Sequence, residues 1–153
     1  MSLEEYWAKR DFTSTPEPRG EIKAAGGNLY VVQEHHARSL HWDLRLERGG
    51  VLKSWAVPKG PPERRGVRRL AVETEDHPVE YADFEGTIPQ GEYGGGTVSI
   101  WDRGVYEEEK WQEGEIIAHF KGERLRGRYC LIGLKGQQRN WLLFRCGKDE
   151  GEG

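Results

Sequence analysis

The stretch Val31–Glu47, VVQEHHARSLHWDLRLE, constrains the possible fold more than any other part of the chain. Within it His41, Asp43 and Arg45 alternate with three apolar residues. Successive side chains of a β-strand point to opposite faces. The pattern therefore predicts a strand with one apolar face packed inward and a second face, carrying histidine, aspartate and arginine, turned toward a cavity.

A second histidine belongs to the same region. His35 lies six residues before His41, and a bend at residues 37–39 would bring the two imidazoles together. Two imidazoles and the carboxylate of Asp43 form a typical ligand set for a divalent metal. A solvated strand face also alternates, but it seldom concentrates two histidines, an aspartate and an arginine. The residues therefore favour a functional site.

The rest of the chain is typical of an all-β domain, because short alternating runs are separated by glycine-rich turns. Runs of this kind, five to nine residues long, predict strands. Residues 107–113 are expected to form a charged excursion between two of these strands. Closure of such strands into an antiparallel β-barrel removes exposed edges. The predicted strands are Leu29–Gln33, residues 41–47, Val51–Val57, Val67–Glu75, Thr97–Asp102, Glu115–Phe120, Arg128–Leu134 and Asn140–Arg145.

The N-terminal region is expected to differ from the barrel. Ser2 and Glu5 have the spacing of a capping box, which predicts a short helix ending near Arg10. An irregular arm should follow, so that one domain spans residues 1–153 with a helix and arm (1–27), a barrel (28–146) and a flexible tail (147–153). The pattern alone favours solvated positions for the charges of the arm, with closure over the site as the other option.

Charge and apolar content limit the partners and the location of the protein. The net charge is −3, so a nucleic acid would have to meet a local basic patch. No apolar run is long enough to span a bilayer, and the N-terminus lacks the features of a signal peptide. We expect a cytoplasmic protein that has no membrane partner.

The two cysteines lack the CxxC spacing of zinc sites, so Cys130 and Cys146 are expected to be buried thiols. If the last two strands pair about the turn at residues 136–139, the two thiols should be neighbours. A disulfide is allowed by this arrangement but is not required.

Nine polar residues fall at strand ends or on one strand parity, and a barrel could gather them at its mouth. Phosphoryl transfer needs such a set, because a metal polarises the phosphate, cations neutralise its oxygens and an acid protonates the leaving group. His77, which titrates near neutrality, is the natural acid. The set consists of His35, His41, Asp43, Arg45, Lys59, Arg69, Glu75, His77 and Tyr81.

Long motifs across the chain resemble the 3'-phosphoesterase domain of bacterial ligase D, which also occurs as a stand-alone protein. They are RDFTSTPEP, HHARSLHWDLRLE, LKSWAVPKGP, RRLAVETEDHPVEYADFEGTIPQGEYGGGTVSIWDRG and LRGRYCLIG. The resemblance implies a manganese-dependent β-barrel enzyme of DNA repair and end joining, with Co²⁺ or Zn²⁺ as other metals. It implies removal of a 3'-terminal ribonucleoside and then of the remaining 3'-phosphate. The implied partners are nucleic acid 3' ends and a separate DNA ligase with end-joining factors.

The resemblance also implies roles for individual residues. The family's HxxxxxHxDxR motif falls on His35, His41, Asp43 and Arg45, of which the first three are implied to hold the metal. Arg45 and His77 are implied to contact the scissile phosphate, and Trp42 replaces a common tyrosine on the opposite strand face. Further implied catalytic, phosphate-binding or supporting residues are Glu75, Tyr81, Lys59, Arg69, Arg10, Asp11 and Glu17.

Two other functions stay open from the residues. His41, Asp43 and His77 would serve as the facial triad of a non-haem Fe(II) oxygenase. In a non-catalytic nucleic-acid-binding barrel, phosphate contacts would instead come from arginines. Those arginines are Arg64, Arg65, Arg68 and Arg69.

Overall fold

The computed structural model describes residues 3–24 and 26–147, which form a mainly β structure with one short α-helix. The elements in chain order are α1 (Glu4–Ala8), β1 (Leu29–His36), β2 (Leu40–Arg48), β3 (Val51–Val57), β4 (Arg69–His77), a 3₁₀ helix (Val79–Asp83), β5 (Gly86–Ile88), β6 (Gly96–Gln112), β7 (Glu115–Lys121), β8 (Arg126–Gly133) and β9 (Asn140–Arg145).

Eight of these strands close into an antiparallel barrel in the order β1-β2-β3-β4-β9-β8-β7-β6, and β6 returns to pair with β1. The short strand β5 pairs with the first residues of β6. Closure leaves the barrel strands without an unpaired edge. The predicted antiparallel barrel, with its short N-terminal helix and irregular arm, is confirmed.

The barrel interior holds the main core, built from one parity of its strands. On β2 this parity contributes Leu44 and Leu46, with the partly buried Trp42 packed against the cluster. The loop at residues 58–68 lies against the same core, because the hydroxyl of Tyr129 donates to the carbonyl of Pro62 at 2.7 Å. The apolar face predicted for β2 therefore faces the barrel interior.

A second apolar cluster covers the outer wall of the barrel. Val31 of β1 and Leu52 of β3 pack there against Tyr6 of α1 and Tyr81 of the 3₁₀ helix. Strands β1–β3 are consequently buried on both faces. The outward parity of β2 carries His41, Asp43 and Arg45, so the site lies beneath the N-terminal arm on the outer wall and not at the barrel mouth, where the sequence had placed it.

The charged excursion predicted at residues 107–113 is wrong, because β6 continues to Gln112 and the turn is limited to the next two residues. Its acidic side chains pair with cations on β7 and on the next strand, β8. Glu107 pairs with Lys121 at 3.0 Å and Glu109 with Arg128 at 2.9 Å. Cross-strand ion pairs of this kind make a highly charged segment compatible with a strand.

The helix α1 begins at Glu4 with Leu3 at its N-cap, and no side chain caps it. The predicted cap Ser2 lies outside the described residues, as does the predicted tail beyond Gly147. In the described ranges no helix has the length and apolar character needed to cross a bilayer.

The cysteines meet where the last two strands pair, as predicted. β8 and β9 are antiparallel neighbours, with Cys130 opposite Phe144. The Cα atoms of Cys130 and Cys146 are 5.9 Å apart and the two residues form a disulfide. The expectation of two buried thiols is therefore wrong, although their proximity is confirmed.

Candidate metal and phosphate site

The centre of the site is a cluster of two histidines and one aspartate. His35 lies opposite His41 in the β1–β2 ladder, and Asp43 follows two residues later on the same face. His35 Nδ1 lies 3.6 Å and His41 Nε2 lies 3.3 Å from Asp43 Oδ2. The candidate ligand atoms of these three residues are all within 4.8 Å of one another. The bend at residues 37–39 thus forms the hairpin that joins the two imidazoles.

Hydrogen bonds fix which nitrogen of each imidazole faces the centre. His35 Nε2 lies 2.7 Å from the carbonyl oxygen of Gly94, and His41 Nδ1 lies 3.0 Å from that of Ser39. A carbonyl only accepts, so these nitrogens carry the protons. The opposite nitrogens, which face Asp43, are left with lone pairs. Histidines that ligate a metal usually donate a hydrogen bond from their other ring nitrogen in this way.

The electrostatics of the cluster keep its carboxylate ionised. Burial raises the pKa of Asp43, but the charge of Arg45 and the adjacent imidazoles of His35 and His41 outweigh it, so the pKa is lowered overall. Burial lowers the pKa of His41, whereas the hydrogen bond with Asp43 raises it, with a net rise. A carboxylate beside two imidazoles suits a divalent transition metal, so these three residues fit such an ion.

Arg45 lies next to the cluster and is held in place from one side. Its Nε donates to Gln33 Oε1 at 2.7 Å, and the Gln33 amide donates to the carbonyl of Tyr81 at 2.7 Å. Its Nη2 lies 3.5 Å from Asp43 Oδ2. The remaining nitrogen, Nη1, is buried and has no hydrogen-bond partner among the described residues. A buried guanidinium with a free donor is suited to an anion.

His77 borders the same pocket and is neutral. Its Nδ1 lies 2.9 Å from the carbonyl of Glu75, which places the proton on that nitrogen. Burial, followed by the charges of Arg45 and Arg10, holds the pKa of His77 well below its usual value. The Nε2 lone pair then accepts a long hydrogen bond from Arg10 Nη2 at 3.5 Å. The lowered pKa favours the neutral ring, and the acid role expected for His77 from the sequence stays a prediction.

The N-terminal arm closes the site through buried charges. Arg10 Nε pairs with Glu17 Oε2 at 3.1 Å, and Arg10 Nη1 pairs with Glu75 Oε2 at 3.2 Å. The Tyr81 hydroxyl donates to Glu17 Oε2 at 2.6 Å. Burial raises the pKa of Tyr81 well above its usual value, so it stays protonated. The side chains of Arg10 and Glu17 are thus buried, and the solvated positions favoured by the pattern are wrong for both.

Three residues of the predicted set lie elsewhere. Lys59 and Arg69 line a different concavity, where Arg69 Nη1 donates to the carbonyl of Lys59. Asp11 is exposed and accepts hydrogen bonds from Thr13, which makes it a turn residue of the arm. The structure gathers the other nine around one cavity of about 330 Å³. They are His35, His41, Asp43, Arg45, Glu75, His77, Tyr81, Arg10 and Glu17.

Several residues of the site were missed in the sequence. Gln33 is fully buried and fixes Arg45, and its signal was a polar residue on the parity of His35. Lys9 Nζ pairs with Glu75 Oε1 at 3.1 Å. The glycine-rich loop lines the cavity with Gly94, although its sequence indicated only tight turns.

Fold and site together define a β-barrel protein with a candidate metal and phosphate site on its outer wall. The family model for the DNA Ligase D 3'-phosphoesterase domain matches residues 33–133. The chain belongs to this family, which confirms the resemblance seen in the motifs. Hydrolysis of phosphate esters is the activity that the family supports.

Relatives extend the match over most of the chain. The chain is 52% identical over 149 residues to the multifunctional non-homologous end joining protein LigD of Mycobacterium bovis, covering 94% of this chain and 19% of that protein. It is 53% identical over 156 residues to LigD of Mycolicibacterium smegmatis, covering 94% and 20%. It is 51% identical over 153 residues to LigD of Pseudomonas aeruginosa, covering 94% and 18%. The chain spans about a fifth of the length of these relatives.

Proposed function

We propose that the protein is a manganese-dependent phosphoesterase that heals 3' ends of nucleic acid. It would remove a 3'-terminal ribonucleoside to leave a 3'-phosphate, and then hydrolyse that phosphate to a 3'-hydroxyl. The process it serves would be DNA repair by end joining, beside a separate DNA ligase and end-joining factors. The names of the LigD relatives support this process.

One observation carries the proposal. The His35–His41–Asp43 cluster lies directly beside Arg45, whose Nη1 is buried without a partner in the described part of the chain. A metal at the cluster and a phosphate oxygen at Nη1 would therefore share one cavity. A bound Mn²⁺ would supply Lewis-acid polarisation of the phosphate ester.

The chain's own residues orient and stabilise the phosphate. Arg45 would donate from Nη1 to a non-bridging oxygen, where its charge offsets the negative charge that develops in the transition state. Gln33 holds the guanidinium so that little conformational freedom is lost when the phosphate binds. The stacked ring of Tyr81, 4.8 Å from Arg45 Cζ, limits its movement further.

His77 would handle a proton at Nε2. The unprotonated nitrogen can accept a hydrogen bond from the attacking water or from a protonated phosphate oxygen. Glu75 supports this role, because its carbonyl fixes the Nδ1 proton and its carboxylate holds Arg10 beside the ring. We therefore assign His77 as a proton acceptor in the free enzyme.

A labelled primer-template ending in a single ribonucleotide tests the proposal. With Mn²⁺ the wild-type protein should give a 3'-phosphate product and then a 3'-hydroxyl product, and chelator should abolish both. His41→Ala should lose manganese binding and cleavage together. His36→Ala is the matched control, because that side chain is 53% exposed, bonds Glu34 and lies outside the cluster. Cleavage that persists in chelator, or equal effects of the two variants, would reject the proposal.

The geometry also supports this function over an oxygenase. The metal-binding group found among the described residues contains His35, whereas the oxygenase triad would require His77. His77 Nε2 instead faces the guanidinium of Arg10. A cation beside that nitrogen disfavours a second cation there.

A further inference from the structure

A second concave surface lies at the end of the barrel that is covered by the loop at residues 58–68. Its volume is about 330 Å³, and two tryptophans, Trp42 and Trp101, form part of its wall. Three of the residues that line it are cations, Lys59, Arg64 and Arg69, and one, Glu63, is an acid. A locally basic surface is notable in a chain whose net charge is −3.

Hydrogen bonds and packing within the protein build this surface before any ligand binds. Arg69 Nη1 donates to the carbonyls of Lys59 and Gly60. The hydroxyl of Tyr129, inside the barrel, fixes Pro62 of the same loop. Gly60 lies against the ring of Trp42 with a φ of +83°, and a Cβ there would come within 3.3 Å of that ring. The loop is thus anchored at both its start and its middle.

The chemistry of the surface fits a nucleotide. Lys59 and Arg64 are exposed, so their charges can reach phosphate oxygens. Trp101 is half-buried, and the guanidinium of Arg124 lies 4.4 Å from its ring centre. The indole Nε1 of Trp42 is buried and has no partner in the ranges that the structure describes. Proteins that bind single-stranded nucleic acid usually combine aromatic rings with neighbouring cations.

The surface is separated from the metal cluster only by strand β2. Trp42 lies between His41 and Asp43, and neighbouring side chains of a strand point to opposite faces. The strand begins at Leu40, which is 43% exposed. A nucleic acid strand that crosses this end of β2 can therefore reach both places.

We propose that this concavity, the Trp42–Trp101 surface, binds a nucleotide of the substrate strand on the 5' side of the reacting end. Lys59 and Arg64 would contact its phosphates, and its base would stack on Trp101. The inference rests on the proposed function, since it assumes that the reacting 3' end lies at the metal cluster. It gives the enzyme a higher affinity for a nucleic acid strand than for an isolated phosphate ester.

Binding of a fluorescently labelled single-stranded DNA that ends in a 3'-hydroxyl tests the inference. The measurement is made in chelator, so that it does not depend on cleavage. The affinity of the wild-type protein should fall with salt, and Lys59→Ala/Arg64→Ala should reduce the slope of log K against log salt by about 1.4, the value for two lost phosphate contacts on a single strand. Trp101→Ala should weaken binding roughly fivefold to a hundredfold, and Trp101→Phe should restore most of it.

Lys135→Ala is the control for a general charge effect. Lys135 is exposed in the β8–β9 turn, beside the end of β9 that is opposite to the proposed binding surface. Its effect on the salt slope should be small. Equal slopes for Lys135→Ala and the double variant, or no loss for Trp101→Ala, would overturn the inference. A wild-type protein that binds DNA in this way but cleaves no phosphate ester would count against the proposed function and leave the binding surface standing.

Discussion

Glu17→Ala is the sharpest test of how the N-terminal arm is held on the barrel. The Glu17 carboxylate accepts hydrogen bonds from Arg10 Nε at 3.1 Å, Thr15 Oγ1 at 2.9 Å and the Tyr81 hydroxyl at 2.6 Å. The Arg10 and Glu17 side chains are 4% and 1% exposed, so solvent cannot replace these bonds. The truncation leaves a buried guanidinium with only Glu75 as its carboxylate partner.

The expected cost follows from this geometry. Removing one partner of a buried ion pair costs about 3–5 kcal/mol, because the remaining charge stays buried. For a chain of this length each kcal/mol lowers Tm by about 2–4 °C, which gives a loss of about 6–20 °C. Glu17→Gln keeps an acceptor for Tyr81 and should lose less. If the arm detaches locally, the amide exchange rates in α1 and the arm should rise by the factor that corresponds to the lost free energy.

Asp11→Ala is the matched control for this prediction. Asp11 is an acid of the same arm, but it is exposed and its bonds go to Thr13 and Ser14 within one turn. Asp11→Ala should lower Tm and raise amide exchange in the arm much less than Glu17→Ala does. If the two variants lost the same stability in both measurements, the reasoning from the buried ion pair would be refuted.

Three further predictions concern protons. The pKa of His41 is raised above the usual histidine value of about 6.5, and a ligand imidazole must be neutral, so activity should already fall in acid from a pH above that value. Added Mn²⁺ should move this fall in activity to lower pH. A fall that Mn²⁺ does not move would contradict the ligand assignment. Burial raises the pKa of Glu75, but a backbone hydrogen bond and the charges of Arg10 and Lys9 lower it overall, so its stabilisation is present above the unfolded pKa of about 4.3 and lost below it. The difference in urea midpoint between wild type and Glu75→Gln should therefore shrink from pH 6 to pH 3, and a constant difference would refute this. His77→Ala should lose roughly a hundredfold in rate on both alkoxide and nitrophenyl leaving groups, whereas a much smaller loss on the nitrophenyl ester would show that His77 is an acid.

The sequence predicted the site most accurately where neighbouring residues carry the signal. The alternation on β2 separates His41 and Asp43 from Leu44 whatever the rest of the chain does, because strand geometry fixes it. Alternation defines two faces but does not say which one is the barrel interior. That choice depends on distant apolar residues such as Tyr6 and Tyr81, which cover the outer wall.

Contacts between distant parts of the chain explain the other misses. Gln33 finds its acceptors 48 and 51 residues away, at the carbonyls of Tyr81 and Phe84, so the local pattern shows only that it shares the parity of His35 and not which groups it contacts. The acidic run of β6 was interpreted as an excursion because its neutralising cations come from other strands. Lys59 and Arg69 belong to the same sequence motifs as the site residues, but in the fold they line a different concavity on the other side of the barrel wall.

The two buried arginines show how burial and partners, rather than residue type, separate structural from chemical roles. Arg10 contacts two carboxylates and the carbonyl of Tyr6, so its charge is already used. Arg45 keeps one nitrogen without a partner in the described chain. Both charges hold the pKa of His77 down. A phosphate bound at Arg45 would offset that arginine's charge, raise the pKa of His77 and prepare its Nε2 to take a proton during the reaction.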